Sequence, residues 1–270
     1  MFKAPLNLRK ARILISNDDG IDAPGLKVLE TIAKLFSDDV WVVAPLTEQS
    51  ATGHSLTLRR PLRILKRGKN RFAVDGTPTD CVLLAVNQIM KEWKPDLVLS
   101  GINQGRNVGE DMTYSGTIAA AMEATLYGIP AIALSQDMSD EDFRTRRGNV
   151  ARKYAAANAF AARVIRKVTK VAWPADVLMN VNFPAAAKSR VKGIKVTREG
   201  RSKMGDEILE NKDSRGDSYF WIGAQQASTG HPAGTDLHAM ENGYVSVTPV
   251  SLELTHKTTI KTLKGVFEGN

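Results

Sequence analysis

The sequence predicts an α/β protein with a Rossmann-like three-layer core and a sheet dominated by parallel strands. Short apolar runs rich in β-branched residues occur at 12–16, 40–44 and 97–99, and such runs are typical of strands buried on both faces. Segments with helical periodicity separate them, beginning with an apolar face that runs from Leu26 to Phe36. This alternation is typical of right-handed, parallel β-α-β units.

Turn-forming residues and prolines mark where the predicted strands and helices begin and end. The first strand ends in the turn residues 17–20, and Pro24 stands where a helix can begin because its fixed φ suits a first turn. Pro45 ends the second strand. Further on we expect a hairpin (56–65 with 71–74), helices at 78–90, 117–127 and 144–168, and strands at 97–99, 130–134 and 177–181.

The pattern changes after about residue 190. The segments 193–197, 219–222 and 244–249 are β-type, and little helical periodicity accompanies them. We therefore expect a Rossmann-like core at 1–188 and a β-rich C-terminal extension at 189–270.

Composition excludes several classes of protein. A hydrophobic fraction of 43% and a charged fraction of 24% are those of an ordinary globular domain. The single cysteine, Cys81, cannot form an intramolecular disulfide, and no Cys/His cluster has zinc-ligand spacing. No signal peptide or membrane span is recognisable, so we expect a cytoplasmic protein without a membrane partner.

The formal net charge of +8 suggests either a polyanion partner or simply an anionic substrate, and charge alone does not choose between them. The basic residues fall into small groups and belong to no recognised nucleic-acid-binding motif, so we expect no dedicated nucleic-acid partner. These groups are Arg59, Arg60, Arg63, Lys66 and Arg67; Arg144, Arg146 and Arg147; and Arg163, Arg166 and Lys167.

The loop after the first strand carries two adjacent carboxylates, Asp18 and Asp19. Ligands of open parallel sheets bind at the carboxyl ends of the strands, and neighbouring buried carboxylates repel each other unless a cation offsets the repulsion. Oxygen ligands suit Mg²⁺ or Mn²⁺. The alternative is that the pair shapes the turn and caps the following helix.

The loop after the second strand offers Ser50, Gly53 and His54. The Ser50 hydroxyl is a candidate metal ligand or phosphate donor. His54 is a candidate phosphate contact or proton carrier. An ordinary polar loop with a solvent-exposed histidine is the competing interpretation.

The third loop is rich in glycine and leads into a helix. It offers amide oxygens from Asn103 and Asn107 and then Ser115, Gly116 and Thr117 at the helix entry. Free backbone N–H groups and the positive end of a helix dipole bind phosphate without needing a lysine. A helix N-cap at Ser115 or Thr117 is the competing interpretation, and it is compatible with ligand binding.

Absent motifs narrow the chemistry further. The sequence has no P-loop, no dinucleotide-binding GxGxxG after the first strand, no GxSxG and no HExxH. Nor does a second aspartate follow the Asp18–Asp19 pair two positions on, so a DxD-type aspartyl nucleophile fits poorly.

The chain resembles the SurE (survival protein E) family of nucleotidases. The segments that carry the resemblance are ILISNDDGIDAPGL, VVAPLTEQSATGHSLTL, VDGTPTDCV, PDLVLSGINQGRNVGEDMTYSGTIAAAMEATLYGIPAIALS and GTDLHAMENGYVSVTP. The resemblance implies hydrolysis of nucleoside 5′- and 3′-monophosphates, with exopolyphosphatase activity on short polyphosphate as a further expectation. It also implies one Mg²⁺ or Mn²⁺ per subunit, held by Asp18, Asp19, Ser50 and Asn103, and a homodimer or homotetramer.

These features give a working hypothesis for the reaction. Water activated at the metal attacks the phosphoryl group in line, the helix entry at 115–117 stabilises the developing charge, and Asp18 or Asp19 accepts the proton. A covalent aspartyl-phosphate is an alternative route. Alternative functions are a non-catalytic nucleotide- or RNA-binding protein and a phosphatase acting mainly on sugar phosphates.

Overall fold

A computed structural model describes residues 1–145, 148–201, 208–222 and 229–268. Nine strands form one sheet in the order β3-β4-β2-β1-β5-β6-β7-β11-β8, and β9 pairs with β10 in a separate antiparallel hairpin. The strands are β1 (Ile13–Ser16), β2 (Val40–Pro45), β3 (Ile64–Gly68), β4 (Arg71–Val74), β5 (Leu97–Gln104), β6 (Ala131–Gln136), β7 (Val177–Phe183), β8 (Ile194–Val196), β9 (Ile208–Lys212), β10 (Ser218–Ile222) and β11 (Val245–Ser251).

Most neighbouring strands of the main sheet are parallel, and only the β3–β4 and β7–β11 pairs are antiparallel. The α-helices are α1 (Pro24–Ala33), α2 (Pro78–Leu84), α3 (Gly116–Leu126), α4 (Asp140–Arg144), α5 (Val150–Lys153), α6 (Ala155–Val168), α7 (Asp236–Glu241) and α8 (Lys257–Phe267). A π-helical turn, Ala85–Ile89, extends α2, and a 3₁₀ helix, Gly109–Tyr114, precedes α3. The predicted α/β class with a mostly parallel sheet is confirmed.

Helices cover both faces of the sheet and divide the core into two hydrophobic clusters. Residues Ile13 and Ile15 of β1 face the cluster that contains α1 and α6. Leu14, between them, faces the cluster that contains α2 and α3. This alternation follows from the period of two along a strand, and it explains why β1 reads as a continuous apolar run.

The sheet reverses its direction of winding at β1. From β1 the chain proceeds to β2 on one side, whereas β5 lies on the other side, in register with β1 through the pair Ser16–Ser100. The loops that follow β1 and β5 diverge at such a switch point and leave a crevice between them. The fold therefore brings the first and third candidate loops to one place.

Strand β5 is longer than the sequence predicts. It continues to Gln104, with a register shift between Ser100 and Asn103 against β6. Gly101 lies within this bulge at a φ of +125°, where a Cβ would sit 2.2 Å from the carbonyl oxygen of Leu134. Bulges redirect side chains, so Asn103 lies at the end of a strand and not within a free loop.

Two expectations about the N-terminal half are wrong in detail. The predicted first arm of the hairpin begins at 56, but β3 starts only at Ile64. The predicted helix 144–168 is interrupted, because α5 ends at Lys153 and α6 begins at Ala155. Residues 146 and 147, which include two arginines of the second basic group, lie outside the described residues.

The expectation of little helix after residue 190 is also wrong. Helices α7 and α8 lie in this region, and the strands β8 and β11 join the main sheet beside β7. The sheet thus crosses the predicted boundary between 1–188 and 189–270, and that division into domains stays a prediction. Among the described residues, no helix is long and apolar enough to span a membrane.

A substitution at Gly25 tests how closely α1 approaches β5. A Cβ at this position would lie 1.9 Å from the carbonyl oxygen of Ile102 and 2.9 Å from the hydroxyl of Tyr154. We expect Gly25→Ala to lower the free energy of unfolding by about 2 kcal/mol or more, because backbone atoms must move to admit the methyl group. Urea denaturation measures the change.

Gly265→Ala is the matched control. Gly265 lies within α8, and no described atom would come within 4 Å of its Cβ. Alanine there should leave stability unchanged or raise it by up to about 1 kcal/mol. Equal unfolding midpoints for Gly25→Ala and the wild type would contradict the packing described for α1.

Candidate active site

Asp18 lies at the carboxyl end of β1 and is buried against the start of α3. Its carboxylate accepts a hydrogen bond from the Thr117 hydroxyl. Gly116 permits this contact, because a Cβ there would lie 2.7 Å from the Cβ of Asp18. Burial raises the pKa of Asp18, and the hydrogen bonds from Thr117 offset only part of that effect. The first and third candidate loops therefore meet at this carboxylate.

Asp19 lies beside Asp18 and faces the end of β5. One of its oxygens, Oδ2, accepts a hydrogen bond of 3.2 Å from the backbone N–H of Gln104. Burial raises its pKa from 3.8 to about 7, and the negative charge of Asp18 adds to the effect. No basic residue is among the described groups that affect the pKa of either aspartate.

The structure rules out the alternative in which this pair caps the following helix. Helix α1 begins at Pro24, its N-cap is Ala23, and no side chain hydrogen-bonds to the cap. The two carboxylates consequently have no role in completing α1. Two neighbouring negative charges without a basic partner fit a site for a cation, which would offset their repulsion and lower both pKa values.

Asn103 presents an amide oxygen at this site. Its side-chain nitrogen donates to the carbonyl oxygen of Gly105 over 2.9 Å, an interaction that fixes which end of the amide is engaged. The oxygen is therefore the end available to a ligand. Asn103 pairs with Ser135 of β6, and the next residue, Gln104, donates its backbone N–H to Asp19, which places Asn103 beside the aspartate pair.

Ser50 lies on the second loop, which is attached to the site by a hydrogen bond from the N–H of Gln49 to the carbonyl oxygen of Asp18. The Ser50 hydroxyl itself donates to Glu48 over 2.8 Å. Within the described part of the chain it makes no hydrogen bond to either aspartate. Glu48, which the sequence motifs did not single out, lies near both aspartates. Its negative charge raises the pKa of Asp18 and that of Asp19.

Gly53 and His54 connect the second loop to α3. The N–H of Gly53 donates to the carbonyl oxygen of Tyr114, and a Cβ at Gly53 would lie 3.2 Å from the Thr113 oxygen. His54 Nε2 lies 3.0 Å from the Glu123 carboxylate, which is 9% exposed. His54 is solvent-exposed on its loop, as the competing interpretation holds, but it also contacts Glu123, a pairing that nothing in the sequence indicates.

Ser115 is the N-cap of α3, as one interpretation of the sequence holds. Its hydroxyl accepts a hydrogen bond of 3.1 Å from the N–H of Ile118. Asn107 has a different role from the one expected of a phosphate contact, because its side-chain nitrogen donates to Ser135 inside the fold. Its backbone N–H and carbonyl oxygen are held by Asn180 and Asn182 of β7.

Two further residues near the site carry no signal in the sequence. Tyr154, between α5 and α6, receives a hydrogen bond from the N–H of Gly25, and burial together with the charge of Asp19 raises the pKa of its phenol. Asp236 of α7 is fully buried and accepts hydrogen bonds from the N–H groups of Gly109 and Gly200. Both depend on contacts between distant segments, which periodicity and spacing do not reveal.

A mostly parallel α/β sheet with an acidic crevice at its switch point, bordered by a helix N-terminus, is the arrangement of a Rossmann-like α/β protein suited to binding a cation and an anionic group. The family model described as "Survival protein SurE" matches residues 13–206, so the chain belongs to the SurE family. The resemblance found in the sequence motifs is confirmed.

Relatives match over nearly the whole chain. The 5′-nucleotidase SurE of Paramagnetospirillum magneticum is 56% identical over 95% of both chains. The 5′-nucleotidase SurE of Rhodospirillum rubrum is 52% identical over 99% of this chain and 100% of its own. The crystal structure of the SurE protein from Aquifex aeolicus superimposes with a TM-score of 0.80 at 40% identity, covering 94% of this chain and 98% of that one.

The raised pKa of Asp19 predicts how stability depends on pH in the metal-free protein. Because the folded-state pKa of about 7 exceeds the unfolded value of 3.8, folding favours the protonated form. The stability contributed by protonated Asp19 is fully present below about pH 4 and is lost as pH rises to 7. The shift corresponds to at most about 4 kcal/mol.

Denaturation of the wild type and Asp19→Asn between pH 4 and 8, both in EDTA, measures this contribution. The stability of Asp19→Asn relative to the wild type should rise with pH, because the amide cannot ionise. Asp22→Asn, an exposed position in the same loop, is the control and should follow the wild-type profile. Parallel profiles for Asp19→Asn and the wild type would refute the pKa assignment.

Proposed function

We propose that this chain is a divalent-metal-dependent 5′-nucleotidase that hydrolyses nucleoside monophosphates to nucleoside and phosphate. The observation that carries the proposal is the pair of buried Asp18 and half-buried Asp19, which lies beside the N-terminus of α3 without a basic partner among the described residues. The names of the relatives from Paramagnetospirillum magneticum and Rhodospirillum rubrum support the same activity. Hydrolysis of 3′-monophosphates and of short polyphosphate belongs to the proposal as finer expectations.

One Mg²⁺ or Mn²⁺ per subunit would be held by Asp18, Asp19, Ser50 and Asn103. The donor set is made of oxygens, which these hard cations prefer. The described residues contain no cluster of three His, Cys, Asp or Glu, here or elsewhere, so the proposed site depends on Ser50 and Asn103 beside the two aspartates. The engaged amide nitrogen of Asn103 supports its oxygen as a ligand. When bound, the ion supplies Lewis-acid stabilisation of the phosphoryl oxygens and lowers the pKa of water.

The start of α3 is suited to the phosphate group. Ser115, Gly116 and Thr117 stand at the positive end of the helix dipole, and the N-cap hydroxyl of Ser115 fixes the geometry of the first turn. Hydrogen-bond donors fixed in this way stabilise charge that develops on the equatorial oxygens without reorganising during the reaction. The missing side chain of Gly116 allows Asp18 to pack directly against this turn, because a Cβ there would lie 2.7 Å from the Cβ of Asp18.

Proton transfer requires a base near the attacking water and an acid near the leaving oxygen. Asp19 is the better candidate base of the two aspartates, because the Thr117 hydroxyl already occupies the carboxylate of Asp18. His54 is a candidate for the leaving side. With both ring nitrogens protonated, Nε2–H donates to Glu123 and Nδ1–H can pass its proton to the leaving oxygen, which leaves the neutral imidazole.

The assembly proposed with this activity is a homodimer or homotetramer. The hairpin of β9 and β10 supports it, since the large apolar side chains of this hairpin are exposed: Ile208, Leu209, Tyr219, Phe220, Trp221 and Ile222. Exposed apolar surface of this kind is typical of subunit interfaces. The cytoplasmic location stays a prediction.

The first test removes the charge of each aspartate in turn. We expect Asp18→Asn and Asp19→Asn to lower kcat for adenosine 5′-monophosphate by at least about 1000-fold while the fold is retained, because both cation binding and proton transfer lose a group. Phosphate release is measured with Mg²⁺, with Mn²⁺ and with EDTA, and circular dichroism checks folding.

Asp22→Asn is again the matched control and should keep the wild-type kcat. Retention of most of the wild-type kcat in either Asp18→Asn or Asp19→Asn would disprove the assignment of the site. Nucleotide binding without phosphate release in the wild type would favour the non-catalytic alternative, and faster release from sugar phosphates would favour a general phosphatase. Recovery of a phosphoenzyme would replace direct water attack by a covalent aspartyl-phosphate.

The second test concerns the pair of His54 and Glu123. If Glu123 acts by orienting His54, then His54→Gln and Glu123→Gln should each lower kcat by roughly 10- to 100-fold, and the double variant should be no worse than His54→Gln alone. A loss in the double variant equal to the product of the single losses would show that the two residues act independently.

A further inference from the structure

The positive charge of the chain is concentrated in one segment. Residues 49–74 contain seven Lys and Arg and no Asp or Glu, so they carry +7 of the formal +8. The segment begins in the loop that bears Ser50, Gly53 and His54 and ends in β4. In the sequence its basic residues look like one of several small groups, but in the fold all except Arg71 lie on one exposed surface, formed by the edge strand β3, the segment before it and its turn into β4.

That surface runs from the rim of the candidate site along the edge of the sheet. We call Arg59, Arg60, Arg63, Lys66, Arg67 and Lys69 the basic edge; all six are exposed. Because β4 is parallel to β2 and pairs Val74 with Ile64, the segment before β3 lies at the carboxyl edge of the sheet, where the site is. Three strand spacings separate β3 from β1, or about 14 Å.

Hydrogen bonds fix the path between the site and the basic edge. The N–H of Gly53 binds the Tyr114 carbonyl oxygen next to α3, and the N–H of Thr57 binds the Asp80 carboxylate in the first turn of α2. The backbone N–H of Arg63 then binds Asp75, at the end of β4. The basic edge is thus anchored to the same two helix N-termini that border the site.

Most charges of the basic edge are not neutralised by the protein. Arg60 and Arg63 share the single carboxylate of Asp75, at 3.6 Å and 3.7 Å. Arg59, Lys66, Arg67 and Lys69 have no ion-pair partner within the described parts of the chain. By contrast, Arg71 of the same segment is paired with Glu30 at 2.6 Å, so it is excluded from the basic edge.

Protection of the exposed strand edge does not explain the charges by itself. Charged side chains on an edge strand do prevent pairing between sheets. Charges of either sign would achieve this, however, and Arg59, Arg60 and Arg63 precede β3 and do not lie on it. A uniformly positive surface that continues into a phosphate site matches a chain of phosphates.

Exposed aliphatic side chains between the cations distinguish among polyanions. Leu58 is 82% exposed, and Leu56, Ile64 and Leu65 are exposed as well. Polyphosphate offers nothing apolar for them to contact, whereas the bases and sugars of a nucleic acid do. The distance of about 14 Å corresponds to roughly four stacked nucleotides at about 3.4 Å each.

We infer that the basic edge binds the backbone of a short single-stranded oligonucleotide whose terminal phosphate enters the site at Asp18 and α3. The inference rests on the proposed phosphatase function for the terminal phosphate, and it extends the substrate class from mononucleotides to phosphate-terminated oligonucleotides. It also revises the expectation that nucleic acid has no part in the function of this protein.

Binding is tested separately from turnover. A fluorescent octanucleotide with a 5′-hydroxyl, which has no terminal phosphate to remove, is titrated with the full-length protein in the presence of Mg²⁺ at several salt concentrations. Neutralisation of about four phosphates predicts a slope of log K against log salt near −3. Replacing Arg59, Lys66, Arg67 and Lys69 together with Gln should weaken binding at least about tenfold and flatten the slope.

A matched variant changes the same number of charges elsewhere. Arg163, Lys167, Lys170 and Lys188 are exposed and also lack ion-pair partners among the described residues; their replacement with Gln should leave the affinity and the salt slope unchanged. With a 5′-phosphorylated octanucleotide as substrate, the basic-edge variant should lower kcat/KM about tenfold. Its kcat/KM for the mononucleotide should stay within about twofold of the wild type.

Three results would overturn the inference. One is equal weakening in both quadruple variants, which would mean that net charge alone matters. Another is binding of polyphosphate with the same number of charges, or of vesicles of anionic phospholipid, at least as tightly as the octanucleotide. The third is a wild-type protein that does not bind the octanucleotide. If instead the octanucleotide binds but no nucleotide is hydrolysed, the proposed function fails while the basic edge stands.

Discussion

The burial of two adjacent carboxylates at the end of β1 is the constraint on which the rest of the site depends. Like charges in a partly desolvated crevice are unfavourable, and the raised pKa of both aspartates expresses that cost. The surroundings supply only partial relief, through the Thr117 hydroxyl and the backbone of Gln104. The site therefore favours the binding of a positive charge. Above neutral pH a divalent ion supplies that charge better than a proton does.

Hydrogen bonds on both sides hold the loop that carries the third set of candidate residues, so this part of the site has a fixed geometry. On one side β7 holds Asn107 through the side chains of Asn180 and Asn182. On the other side the buried carboxylate of Asp236 holds the N–H of Gly109. Buried polar groups satisfied in this way make a segment rigid, so the start of α3 is positioned before any ligand arrives.

The sequence predicted the sheet and the convergence of the first and third loops, because both follow from local signals. Apolar runs mark the strands, and the positions after them fall at one edge of a parallel sheet. It could not predict the bulge that sets Asn103 at a strand end, which depends on the contact of Gly101 with Leu134. The pairing of His54 with Glu123 and the helices α7 and α8 were missed for the same reason, since tertiary contacts determine them.

The distribution of positive charge follows from the same constraint. An arginine or lysine within reach of Asp18 and Asp19 would form an ion pair, lower their pKa values and compete with a metal ion for their oxygens. Basic residues that assist in binding a phosphate chain must therefore stand apart from the aspartates, and β3, on the basic edge, lies three strands from β1, or about 14 Å by strand spacing. At that separation the basic edge attracts a polyanion without neutralising the carboxylates. The positions of the acidic crevice and of the basic edge both follow from the need to keep basic side chains away from Asp18 and Asp19.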